Sequence, residues 1–163
     1  MRKITLYLLS FCIMLASCVS GPKVETLFVG EGIMQYFIYP ATLKSENSKV
    51  SIDVTYRKIK QKEGFVTVNF SYFYKDLIFS ELKAAGFIHN DKYYPVSETT
   101  ILYQEKRNHH IRYTSKIKEN DFLEILKTWK SLSFFIETDV NKSIYPATTE
   151  LIDKLTELSL EVF

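Results

Sequence analysis

Cysteine, glycine and proline are scarce in this chain, whose 163 residues hold 2 Cys, 5 Gly and 4 Pro. Two thiols cannot build a disulfide-dense scaffold, and five scattered glycines leave no phosphate-cradling loop. There is no Gly-x-Ser-x-Gly nucleophile elbow, and neither His-x-x-x-His nor His-Glu-x-x-His occurs. A large excess of one charge is missing too, with 21 Lys and Arg against 19 Asp and Glu. A formal +2 and a pI near 8.4 are too mild for nucleic-acid binding, which calls for a strongly basic domain. No internal repeat or low-complexity run is present. An ordinary balance of 46% hydrophobic and 25% charged residues excludes wholesale disorder and collagen-like structure. Aromatic residues are plentiful: 11 Tyr, 12 Phe and 1 Trp make up 15% of the chain. They favour strands and a substantial core, and the length fits one domain.

The first eighteen residues read MRKITLYLLSFCIMLASC. Arg2 and Lys3 form a basic n-region, and Ile4–Leu15 is an apolar stretch of twelve residues. A membrane-spanning helix needs about 20 apolar residues, so twelve match the core of a signal peptide instead. Leu15-Ala16-Ser17-Cys18 resembles the lipobox of bacterial lipoproteins: an aliphatic residue, two small ones and an obligatory cysteine. The resemblance implies diacylglycerol on the Cys18 thiol, cleavage by signal peptidase II between Ser17 and Cys18, and commonly acylation (palmitate, for example) of the new amino group. It covers these eighteen residues and implies nothing about the fold beyond them. In the best-studied lipoproteins Asp directly after the cysteine favours inner-membrane retention. Here Val19 follows, which favours the outer membrane. Cys12 is then discarded and Cys18 lipidated, so the mature chain has no thiol for an intrachain disulfide. Cleavage also removes Arg2 and Lys3, and the mature chain is formally neutral.

Three segments are expected: signal peptide 1–17, lipidated cysteine and tether 18–32, and one β-rich globular domain 33–163. A short first strand around Leu27–Val29 is an alternative to a plain tether. Ile33–Tyr39 is almost wholly apolar, which predicts a strand buried on both faces and ended by Pro40. Val50, Ile52, Val54 and Tyr56 alternate with polar residues, and Val66, Val68, Phe70, Tyr72 and Tyr74 repeat the pattern, which predicts a hairpin. His89-Asn90-Asp91-Lys92 centres a second hairpin, and Glu105–His109 a third. Asp76–Ala85 is ambiguous between helix and strand. Asn120 is the expected cap of a helix over Asp121–Leu132, with Phe122, Ile125, Leu126, Trp129 and Leu132 on one face. Ser133–Thr138 reads as a strand. Thr149–Val162 reads as helix to about Leu158, with strand-like alternation beyond. The expected fold is mainly β, an antiparallel, immunoglobulin-like β-sandwich decorated by one or two helices; a two-layer α+β domain is the alternative.

Candidate chemistry is thin. His109-His110 is the most tempting pair, but neighbours on a strand point to opposite faces and do not easily share an ion. His89 falls in a turn, and Asp91 or Asp53 would have to complete any metal site in three dimensions. Asp53 lies on the polar side of its strand, where solvation is expected. Glu31, Glu81 and Glu98 have no distinguishing spacing. No catalytic residue, metal site or cofactor is assigned. Arg57-Lys58-Ile59-Lys60-Gln61-Lys62 is a basic loop, while Glu137–Phe163 carries two lysines against six carboxylates, and the two segments are candidates to face each other. Tyr72-Phe73-Tyr74 and Tyr93-Tyr94 each force at least one ring away from a one-sided core. The expected function is a membrane-anchored envelope lipoprotein whose domain binds an unknown protein or envelope partner, with no nucleic acid. The alternatives are an envelope enzyme with an unrecognised site and a carrier of an apolar ligand, which needs a cavity of about 300 Å³ or more.

Overall fold

The computed structural model describes residues 23–46, 48–59, 64–73, 81–105, 107, 109–128 and 131–163. The signal peptide, the Ser17–Cys18 cleavage site and Cys18 itself lie outside the described residues, as do Tyr74, 76–80 and Trp129. Among the described residues there are ten strands and two helices: β1 (Val24–Phe28), β2 (Met34–Lys44), β3 (Lys49–Lys58), β4 (Phe65–Phe73), β5 (Leu82–His89), β6 (Lys92–Pro95), β7 (Ser97–Glu105), β8 (His110–Lys118), α1 (Glu119–Lys127), β9 (Ser133–Thr138), β10 (Lys142–Pro146) and α2 (Thr149–Val162).

The strands form two antiparallel sheets, one of six in the order β1-β2-β3-β4-β8-β7 and one of four in the order β10-β9-β5-β6. Alternation along β3, β4 and β8 turns Val50, Ile52, Val54, Val66, Val68, Phe70, Ile111 and Tyr113 inward, where all are buried. Phe70 bridges the layers: its ring lies 5.0 Å from Tyr113 in its own sheet and 5.3 Å from Phe134 on β9, which in turn contacts Phe87. The protein is thus a β-sandwich with two helices, as expected. The helices extend the cover of the six-stranded sheet, α2 against β1 and β2 and α1 against β4 and β8.

Several boundaries differ from expectation. Residues 24–28 are not tether but β1, paired with β2 from Val24↔Ile38 to Phe28↔Met34, so the folded domain starts about nine residues earlier than 33. The turn back is tight, with Gly30, Glu31 and Gly32 all at positive φ and Ile33 N–H donating to the Gly30 carbonyl. β2 is not buried on both faces: Tyr36 and Ile38 point inward, while Phe37 and Tyr39 lie half-buried on the outer face with their rings 5.2 Å apart. Nor does Pro40 end it. A β-bulge between Ile38 and Ala41 absorbs the residue that lacks an N–H, and the nearly buried Lys154 of α2 donates to the Pro40 carbonyl at 2.8 Å.

α1 begins at Glu119, with Asn120 inside its first turn rather than capping it. The start is pinned instead by Glu119, whose carboxylate accepts from Gly64 N–H at 2.8 Å and Tyr56 O–H at 2.7 Å. The helix stops at Lys127, where Thr128 is extended, and Leu132 is buried from a position beyond the helix. α2 stays helical through Val162: Leu151, Leu155, Leu158 and Val162 are buried along one stripe, and helical period prevails over local alternation. Thr148 caps its start, and Lys58 Nζ donates to the Val162 carbonyl at 2.9 Å, so a cation from the β3–β4 hairpin completes its C-terminus. β10 had no predicted counterpart. It is short and carries a single buried residue, Tyr145, tied by its hydroxyl to Ser48 at 2.6 Å.

Candidate functional surface

The outward residues of β3, β4 and β8 form a polar lattice. Cross-strand register lines up Asp53, Asn69 and Thr114 in one row, Ser51, Ser71 and Arg112 in the next, and Lys49, Phe73 and His110 in a third. Asp53 corrects the sequence reading: it is 1% exposed rather than solvated. Arg112 lies across the rows, with Nη2 2.6 Å from one Asp53 oxygen and Nη1 donating to Ser71 Oγ at 3.1 Å. Asn69 Nδ2 donates to the other Asp53 oxygen at 2.7 Å. The carboxylate is therefore paired and hydrogen-bonded, the condition under which burying it is tolerable.

His110 caps the lattice. Its ring stacks on Phe73 with centroids 4.3 Å apart and planes 8° from parallel. Tyr103 meets it edge-on at 5.6 Å, and Lys49 Nζ sits 4.5 Å from the Phe73 centroid. Its Nε2 is buried without a hydrogen-bond partner among the described residues. Burial holds the imidazole below its ordinary value, with Arg112 and Lys49 acting in the same direction and Glu105 against it. Because the folded pKa is depressed, the unfolded chain takes up this proton first as pH falls. Stability from this group is present above pH 6.5 and is lost as pH drops through the ordinary value toward the folded one. His110→Phe, which keeps the stack, is expected to lose less stability between pH 7 and pH 5 than the natural chain in urea titrations. Equal losses would refute the assignment.

The other sequence candidates do not converge here. His109 stands in the β7–β8 turn at a φ of +46°. His89 is not a surface turn residue but is 2% exposed, with Nε2 3.1 Å from Thr128 Oγ1 and Nδ1 buried without a partner among the described residues. Asp91 occupies the tight β5–β6 turn beside Asn90, both at positive φ. Glu31 sits in the β1–β2 turn, Glu81 pairs with Lys83, and Glu98 pairs with Lys116. Among the described residues no three or more His, Cys, Asp or Glu gather as a metal group requires. Of the basic loop, Arg57 donates to Gln35, Lys58 meets the end of α2, and residues 60–63 lie outside the described residues. The aromatic runs split as geometry demands: Phe73 faces outward, and Tyr93 is exposed while Tyr94 is buried.

The lattice presents hydrogen-bonding groups on the outer face of the sheet. Ser71 Oγ accepts from the Arg112 guanidinium, and both Asp53 oxygens are engaged, one by Arg112 and one by Asn69. Beside it lies a cleft of about 360 Å³ bordered by Thr67, Thr100, Thr114, Lys116 and Glu98. A second, of about 390 Å³, opens at the margin of the sandwich between β5 and β7, lined by Leu82, Ala85, Val96, Ile101 and Tyr113. β7 is an edge strand exposed along almost its whole length, including Ile101, Leu102 and Tyr103. Two bulges interrupt its pairing with β8, a feature that blunts edges against indiscriminate strand addition. The cross-strand register that builds the lattice has no signal in composition or motif, and the position of Asp53 on the polar side of its strand pointed to solvation instead. Among the described residues no helix is long and apolar enough to cross a membrane. No family model, curated protein or solved structure matches the chain.

Proposed function

We propose that the chain is a bacterial envelope lipoprotein, held on a bilayer by acyl chains on Cys18, whose domain binds a protein or another envelope component without catalysing a reaction on it. The observation that carries this reading is the run of Arg2-Lys3, a twelve-residue apolar stretch and Leu15-Ala16-Ser17-Cys18. Two acyl chains or more make anchoring stable where one is marginal. The binding role is supported by the polar lattice around Arg112 and by the exposed β7 edge, which offer hydrogen-bonding and apolar contacts. Val19 after the cysteine favours the outer membrane.

Cys18→Ala is expected to abolish incorporation of labelled palmitate and to move the protein from the membrane to the soluble fraction. Persistent labelling would end the lipoprotein reading. Cross-linking in intact cells through Lys116, followed by identification of the adducts, tests the binding role. A chain that yields no adduct has no stable partner on that face.

A further inference from the structure

Four strands end the two sheets, and three of them are protected. β1 lies against α2. β6 and β10 are four and five residues long and carry Lys92 with Pro95 and Lys142 with Pro146. Shortness, lysine and proline each discourage an edge from pairing with another chain. β7 differs. It runs nine residues without Lys, Arg or Pro, and no strand lies along its free edge among the described residues. Its centre, Thr100-Ile101-Leu102-Tyr103, is rich in strand-favouring residues and exposed. The irregularity it does carry is the pair of bulges against β8.

Those bulges select the strand that fits. Ser97 pairs with Lys116, Ile101 with Tyr113 and Glu105 with His110. On either side of Ile101, therefore, four residue steps of β7 cover three of β8. A regular strand laid on the free edge falls out of register at each bulge and turns its side chains to the wrong face. A second β7, antiparallel about a two-fold axis at Ile101, repeats the extra residue in each half. Ser97 then stands opposite Glu105 of the second copy, and Ile101 opposite itself. The faces agree as well. Ser97 and Glu105 share the outward rows of Lys116 and His110, and Ile101 shares the inward row of Tyr113, so both members of each pair lie on one face.

Charge is complementary in the same register. Neither Glu98 nor Glu105 faces its own counterpart. The row of Lys116 ends at the small Ser97, which sets Lys116 two strand spacings, about 9.6 Å, from the second copy's Glu105. Extended Lys and Glu side chains cover that span, and symmetry makes the contact twice. Within its own chain Lys116 also holds Glu98.

We infer that two copies of this chain join antiparallel through β7, centred on Ile101, so that their six-stranded sheets become continuous. This rests on the binding reading and names the partner as a second copy.

Introduced cysteines in the purified full-length protein test it, with the chain lacking them setting the background from Cys12 and Cys18. Under mild oxidation Ile101→Cys is expected to give a disulfide-linked dimer, because directly opposed Cα atoms are about 4.5–5.5 Å apart. Glu105→Cys alone is expected to link at least about fivefold less, its two copies standing roughly 20 Å apart. Mixing Ser97→Cys with Glu105→Cys is expected to restore the link. All three positions lie on an exposed edge, and the mixed pair checks the register without altering Ile101. Ile101→Lys, which opposes two ammonium groups, is expected to shift sedimentation from two protomers to one. No link at 101 above background, equal linking at 101 and 105 alone, or a dimer that survives Ile101→Lys overturns the inference. If it fails while Lys116 cross-links a different protein in cells, the binding reading stands without it; failure of both ends both.

Discussion

Arg112→Met is expected to destabilise the domain by about 3 kcal/mol, read as a drop in the urea midpoint at unchanged slope. The guanidinium spans two rows of the sheet and donates to Asp53 and Ser71 at once. Without it, a carboxylate that is 1% exposed keeps, among the described residues, the Asn69 amide. The loss belongs to the stranded charge more than to the bond itself, since removing one partner of a buried pair leaves the other uncompensated. Two further variants separate these terms. Asp53→Asn combined with Arg112→Met removes the stranded charge and is expected to recover most of the stability. Arg112→Lys, a point charge without the planar fork, is expected to fall between the natural chain and Arg112→Met. A cost below about 1 kcal/mol for Arg112→Met would mean that water reaches Asp53 and that the pair counts as a surface ion pair.

Gly86→Ala is expected to cost about as much, for a steric reason. A Cβ at this position would stand 2.3 Å from the Tyr94 carbonyl oxygen and 2.8 Å from Pro95 Cα. Both are backbone atoms of β6, which pairs with β5 at Gly86↔Pro95, so no side chain can swing aside. Relief requires β6 to move, which would pull the inward Tyr94 out of the core. About 3 kcal/mol, the upper part of the range for overpacked sites, corresponds to a fall in Tm of roughly 10 °C for a chain of this size. A change of Tm within about 2 °C would show that β6 follows the methyl group freely, and the close approach would then have no structural weight.

Legibility in the sequence followed the range of the interaction responsible. The alternating runs of β3 and β4, the Asn90-Asp91 turn, β9 and the leucine stripe of α2 are set by neighbours a few residues apart. Their periodicity was readable directly. Pro40 misled because a proline does end a regular strand, while a bulge supported by Lys154, 114 residues away, keeps it inside one. Asn120 misled because a capping residue was present but Glu119, bonded to Gly64 and Tyr56, set the start of the helix. β1 had only a faint signal, since its stability comes from pairing with β2 and not from its own composition.

The sequence by itself determined the layered β architecture and the two helices of the described residues, because these reside in local pattern; the proposal that Cys18 is a lipid anchor rests on local pattern as well. Only the tertiary structure decided that Asp53 and His89 are buried and that Arg112, Ser71 and Asn69 converge. Alternation tells which face a residue takes but not what lies opposite it. That depends on register and on the packing of segments distant in the chain.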